Sequence, residues 1–191
     1  MSLKRAGSDG AWQEIENVRR YDGAAWQDVE FVRRWNGTSW VDCWIGNRFV
    51  LGPTDKMGAK CRVQRVDDYV ELFVQKDDSI GDYYQAGIMT EKKMNLSAPQ
   101  TLEIEWLKSK PAGTSTHTVV TANQGETQIV LLDNSDQPPN TRTVSAFTLP
   151  ANTTRVDIMQ RIQGNSGLSG ASVRLVIYKI TIGGKDIPIE L

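Results

Sequence analysis

From residue 47 onward the apolar positions alternate with polar ones in short runs, the period of half-buried β-strands. Ten such runs are expected as strands: Arg48–Leu51, Cys61–Val66, Tyr69–Gln75, Tyr83–Met89, Thr101–Leu107, Thr116–Thr121, Gln128–Leu132, Thr143–Leu149, Arg155–Ile162 and Val173–Ile182. They are rich in Val, Ile, Thr and aromatics and are bounded by Gly, Pro, Asn, Asp or Ser, which supply turn geometry. Between Thr101 and Lys108 the alternation places Leu102, Ile104 and Trp106 on one face and Glu103 and Glu105 on the other. In the last run Val173, Leu175 and Ile177 share a face, and then the apolar phase slips to Tyr178, Ile180 and Ile182. Such a slip requires either a β-bulge or a strand covered on both sides. Beyond Gly183-Gly184, Ile187-Pro188-Ile189 is expected as an edge tail that proline keeps from pairing further. Many short strands with no long amphipathic helix between them predict an antiparallel, jelly-roll-like β-sandwich over residues 47–191.

Residues 1–46 follow a different rule. Trp12, Trp26 and Trp40 recur every 14 residues, and Val18-Arg19-Arg20-Tyr21 is matched by Val32-Arg33-Arg34-Trp35. Asp22-Gly23 and Asn36-Gly37 each stand between an aromatic residue and a tryptophan segment. That placement predicts hairpins closed by two-residue type I′ turns, whose central residues both need positive φ. Isolated hairpins are marginal in water, so Trp12, Trp26, Trp35, Trp40 and Trp44 are expected to pack against a neighbour. Covering them by threefold assembly makes a homotrimer the preferred state.

Composition then removes whole classes of function. The 191 residues carry a formal net charge of −1, and residues 1–44 hold six basic against seven acidic side chains, so no basic footprint for nucleic acid exists. No apolar run reaches the roughly 20 residues of a membrane span, and membrane insertion is not expected. The start lacks the apolar core of a signal peptide. Lys4–Ser8 has the look of a linker cut from a longer protein. Cys43 and Cys61, without an export signal, are expected as two thiols. One histidine in the chain rules out a structural zinc site, which needs about four N or S ligands.

Catalytic groupings are weak. Glu103 and Glu105 are two apart on one strand face, a spacing a glycosidase pair could use, but charge on a wet strand face is ordinary. His117, beside Ser115 and Thr116, lacks an identifiable orienting carboxylate and is expected in a surface hairpin. Gly164-Asn165-Ser166-Gly167 and Gly183-Gly184 open no helix, so no phosphate cradle is expected. Asp77, Asp78 and Asp82 do not have the spacing of an EF-hand loop. The chain is expected to be non-enzymatic and to need no cofactor or metal.

A sugar site combines an aromatic platform for C–H faces with amides or carboxylates for hydroxyls. The segment Asp82-Tyr83-Tyr84 has that composition, with one tyrosine expected in the core and the other exposed. Asn123 and Gln124, and Asn134 and Asp136, are expected in polar loops able to read hydroxyls. Carbohydrate binding, as a lectin-like module, is therefore an alternative reading of the chain.

The repeats Tyr21-Asp22-Gly23-Ala24-Ala25-Trp26-Gln27-Asp28-Val29 and Trp35-Asn36-Gly37-Thr38-Ser39-Trp40-Val41-Asp42-Cys43 resemble those of structural proteins of tailed bacteriophages and prophages. The resemblance covers about the first 44 residues, and Cys43 departs from the usual aliphatic position. It implies a minor tail, baseplate or receptor-binding protein of the virion tail, made in the host cytoplasm. Its partners would be other tail or baseplate proteins and a host cell-surface glycan.

Overall fold

The computed structural model divides the chain into two compact units, Met1–Asn47 and Arg48–Leu191. It describes residues 4–6, 12–14, 19–21, 23–28, 31–35, 40–45, 47–54, 60–75, 84–91, 93–94, 96–109, 116–134, 140–162 and 172–191. In the first unit β1 (Lys4–Ala6) pairs with β2 (Trp12–Glu14), β3 (Arg19–Tyr21) with β4 (Trp26–Asp28), and β5 (Phe31–Trp35) with β6 (Trp40–Ile45), all antiparallel. Tyr21 faces Trp26 and Trp35 faces Trp40. Four residues therefore separate the paired aromatics, and the two-residue type I′ turn is corrected to a longer connection. Gly23, at φ 103°, takes the backbone into a region where side chains are strained.

The second unit is a sandwich of two antiparallel sheets. Its strands are β7 (Phe49–Leu51), β8 (Cys61–Val66), β9 (Tyr69–Gln75), β10 (Tyr84–Thr90), β11 (Gln100–Ser109), β12 (Thr116–Gln124), β13 (Thr127–Asn134), β14 (Arg142–Leu149), β15 (Arg155–Ile162), β16 (Ser172–Ile182) and β17 (Lys185–Asp186). One sheet has the order β13-β12-β15-β10-β7, and the other β14-β11-β16-β9-β8 with β17 added to β16. From β9 to β12 the chain crosses between sheets at every step, the jelly-roll habit. The core comes from the inward phase of each strand. Leu102, Ile104 and Trp106 of β11 are fully buried, as are Val70 and Leu72 of β9 in the same sheet and Ile88 and Ile158 in the facing one. Burying side chains of this size contributes about 1.5–3 kcal/mol each. Trp106 Nε1 donates to Ser145 Oγ at 3.1 Å, so its one polar atom is satisfied inside.

The phase slip in β16 is a bulge. Glu105 pairs with Lys179 and Trp106 with Ile177, which leaves Tyr178 without a partner on β11. Val173, Leu175 and Ile177 before the bulge and Ile180 and Ile182 after it all reach the core. Tyr178 and Lys179 are consequently both displayed away from it.

The C-terminal tail departs from expectation. Phe49 N donates to Pro188 O at 2.8 Å and Glu190 N donates to Phe49 O at 2.8 Å, a parallel bridge between tail and β7. Proline lacks a donor but keeps its carbonyl, and that acceptor is what β7 uses. Arg48 clasps both Glu91, at 2.7 Å, and Glu190.

Candidate functional site

The five-stranded sheet shows its chemistry on the face turned away from the core. On β15, Val156, Ile158 and Ile162 point between the sheets, so Arg155, Asp157, Met159 and Arg161 point outward. Register then assembles the face in rows. His117 lies beside Arg161 and Gln85, Val119 beside Met159 and Gly87, Thr121 beside Asp157 and Met89, and Asn123 beside Arg155. On the edge strand Gln128 faces Asn123. Two polar rows thus flank a middle that is mostly apolar.

The polar groups hold one another in place. Asp157 is 1% exposed. Its Oδ2 accepts from Asn123 Nδ2 at 2.8 Å, Thr121 Oγ1 at 3.3 Å, and Arg155 Nε and Nη2 at 3.3 and 3.2 Å. Oδ1 lies 3.0 Å from Arg155 Nε, close enough for an ion pair although it accepts no hydrogen bond. Arg161 Nε donates to Gln85 Oε1 at 3.0 Å and its Nη2 reaches Met159 Sδ at 3.4 Å. The two guanidiniums therefore lie over the middle of the face, Arg161 on Met159 and Arg155 on Asp157. Each remains partly open to solvent, the Arg155 side chain by 46%. At the edge His117 Nδ1 is 2.6 Å from Asp133 Oδ1. That contact orients the ring on its Nδ1 side and leaves Nε2 as its second polar atom.

This arrangement suits binding. Asp157 is enclosed and engaged by four donor atoms, which unfits it for proton transfer with a ligand. His117 does have an orienting carboxylate, Asp133, which corrects that expectation, and it sits in β12 of the β12–β13 hairpin with its side chain 32% exposed, as expected. Glu103 and Glu105 lie on the other sheet, where Glu103 accepts from Thr181 Oγ1 at 3.0 Å and Glu105 from Arg142 Nε at 2.7 Å. No group of three metal-ligating side chains occurs among the described residues.

The expected sugar-site residues scatter. Tyr84 is fully buried and serves the core, because it falls on the inward phase of β10. Asn123 and Gln124 are strand residues, since Gln124 pairs with Thr127 and the turn is Gly125-Glu126 alone. Asn123 belongs to the outer face through Asp157, while Gln124 Nε2 bonds Ala151 O. Asn134 closes β13 opposite Thr118. Asp82, Tyr83 and Asp136 lie outside the described residues, as do the side chains of Trp12, Trp35, Trp40 and Trp44. Trp26 is 66% exposed and its ring stands 5.5 Å from that of Tyr21. The residues that organise the face, Asp157, Arg155, Arg161 and Gln85, were missed. Their signal was the polar phase Arg155-Asp157-Met159-Arg161 running against Val156-Ile158 in one strand.

No protein-family model and no curated protein matches this chain. Among solved structures, a CBM4 domain is similar at 15% identity and a TM-score of 0.44, over 72% of this chain and 94% of that one. The N-terminal cellulose-binding domain of a Cellulomonas fimi β-1,4-glucanase C is similar at 16% identity and a TM-score of 0.42, over 75% and 91%. The K3 cleaved adhesin domain of Lys-gingipain from Porphyromonas gingivalis W83 is similar at 17% and 0.41, over 59% and 71%. These are likenesses of β-sandwich architecture, and no site is transferred from them.

Proposed function

We propose that Arg48–Leu191 is a non-catalytic carbohydrate-binding module that takes a glycan across the outer face of its five-stranded sheet. The observation that supports this is the pair of polar rows, His117-Arg161-Gln85 and Gln128-Asn123-Arg155, held by the Arg161–Gln85 and Asp157–Arg155 contacts. The rows stand three two-residue steps apart along the strands, roughly 20 Å, a span suited to a short oligosaccharide. The Arg155 and Arg161 guanidiniums, the His117 imidazole and the Gln85 and Gln128 amides are the donors and acceptors that ring hydroxyls require, with the buried Asn123 supporting them through Asp157, and guanidinium planes also pack on apolar C–H faces. Because their partners are already in place, little side-chain freedom is lost on binding. A panel of host cell-wall glycans titrated into the full chain tests this. Saturable binding that weakens in Arg155→Ala and Arg161→Ala is expected; binding indifferent to both overturns the site.

A second reading concerns Met1–Asn47. The exposed Tyr21 and Trp26 rings, 57% and 66% open, favour an assembly segment in a tailed-phage structural protein, the homotrimer covering aromatic faces that a monomer leaves wet. The glycan-binding unit would then be the host-recognition part of the same tail. The solution mass of the full chain by light scattering tests it: a trimer that dissociates on Trp26→Ala is expected, and a monomer at all concentrations refutes it.

A further inference from the structure

The six-stranded sheet carries a concavity of its own, lined in part by the β16 bulge at Tyr178 and Lys179. A cleft of about 330 Å³ opens between the β8–β9 turn, Tyr178–Ile180 and the tail at Asp186–Ile189. It lies on the sheet opposite to Asp157 and its partners. Tyr69 and Tyr178 meet in it with ring centroids 5.8 Å apart and planes inclined at 60°. Tyr178 is braced from the side by the Arg142 guanidinium, 3.9 Å from its ring centroid, and Arg142 is itself fixed on Glu105 at 2.7 Å. The far wall is fixed as well, since Ile187 N bonds Ile180 O at 2.9 Å and Pro188 O is held by Phe49 N.

Charge and shape together select the ligand. Arg65 and Lys179 are balanced by Asp68 and Asp186, and the cations are engaged, Lys179 by Asp186 at 2.9 Å and Arg65 by the Ile189 carbonyl. An anionic ligand would have to draw Lys179 or Arg65 out of these pairings, whereas a neutral one needs only hydroxyl contacts at their rim. Two rings packed on each other at 60° offer no coplanar platform, so a single sugar ring can stack on one of them but a flat run of several cannot. The volume is at the lower end of ligand sites, about 300–1,000 Å³. We infer that this cleft is a second binding site, selective for the terminal one or two pyranose units of a neutral saccharide. It is independent of the glycan site on the five-stranded sheet.

The test is a chemical-shift titration of the isotope-labelled full chain with glucose, galactose, N-acetylglucosamine, cellobiose, lactose and maltose. Cellohexaose and maltohexaose serve as long ligands, and glucuronic acid as the charged control. Saturable shifts are expected at Asp68, Tyr69, Tyr178 and Asp186, with a hexasaccharide gaining less than about threefold over its disaccharide and glucuronic acid binding more weakly than glucose. Tyr69→Ala should weaken binding about tenfold, the upper range for one aromatic contact, and Arg161→Ala should leave these shifts unchanged. Asp68→Ala, a change at an exposed turn residue, removes a rim carboxylate without touching the ring packing and should also weaken binding. The inference is overturned if no neutral sugar gives saturable shifts in the cleft, if hexasaccharides bind there more than tenfold tighter than disaccharides, or if Asp68→Ala and a folded Tyr69→Ala both bind as wild type. Shifts at Gln85 and Arg161 report separately on the other face, so either site can fail alone.

Discussion

Asp157→Ala should destabilise the sandwich by about 3 kcal/mol, although the residue lies on an outward sheet face. The carboxylate receives Asn123 Nδ2, Thr121 Oγ1 and two nitrogens of Arg155. Asn123 and Thr121 are 7% and 1% exposed, so both lose their acceptor where water does not replace it. Each stranded donor costs about 1–3 kcal/mol, and the rotating Thr121 hydroxyl falls at the low end. Arg155 is exposed enough to rehydrate, and its share is discounted accordingly. Hydrogen exchange of the core amides in β12 and β15, read on the full chain, isolates this unit from the first. A loss of 3 kcal/mol accelerates exchange through global opening by roughly 150-fold. Asp157→Asn retains a neutral acceptor at one oxygen and should fall between the two. Exchange in Asp157→Ala within about threefold of wild type would refute the assignment of Asp157 as the keystone of the face.

Three further outcomes follow from the same geometry. Gly87→Ala places a Cβ 2.8 Å from Met159 Cγ and 3.1 Å from Pro53 O, and should cost about 1–3 kcal/mol by overpacking, read as a lower urea midpoint; an unchanged midpoint would contradict the close approach. Arg161→Ala should weaken glycan binding about tenfold, the loss of one charged hydrogen bond, while the urea midpoint moves by less than about 0.5 kcal/mol in stability; calorimetry and denaturation check the two halves. Lys179 is held above its ordinary 10.5 by the hydrogen bond to Asp186, with that carboxylate's charge and then Glu105 and Glu103 adding. Its stabilising effect is present below 10.5 and disappears as pH rises through the raised value, so its Cε resonance should titrate above 10.5 and at a lower pH in Asp186→Asn than in the wild type.

The strands of the sandwich were legible in the chain because each buries one face, and burial writes a period of two into the sequence. All ten expected runs recur within three residues of their ends, and even the bulge at Tyr178 was announced by the slip from Ile177 to Ile180. Pairing was not legible, because alternation gives a strand its face and no neighbour. That is why His117 and Asp133, 16 residues apart, meet only once the β12–β13 hairpin is closed. Asn123 was selected as a loop residue and functions as a strand residue, since Gly125 alone supplies the positive φ, 63°, that turns the chain. The tail misled for a simpler reason: proline removes a donor, and β7 needed an acceptor.

The central claim, that a glycan lies across the five-stranded sheet, is tested most directly by mapping a bound oligosaccharide onto the labelled full chain. Saturable shifts at Gln85, His117, Arg155 and Arg161, reduced together in Arg155→Ala and Arg161→Ala, are the predicted result. A glycan that binds with no perturbation at those four residues would contradict it.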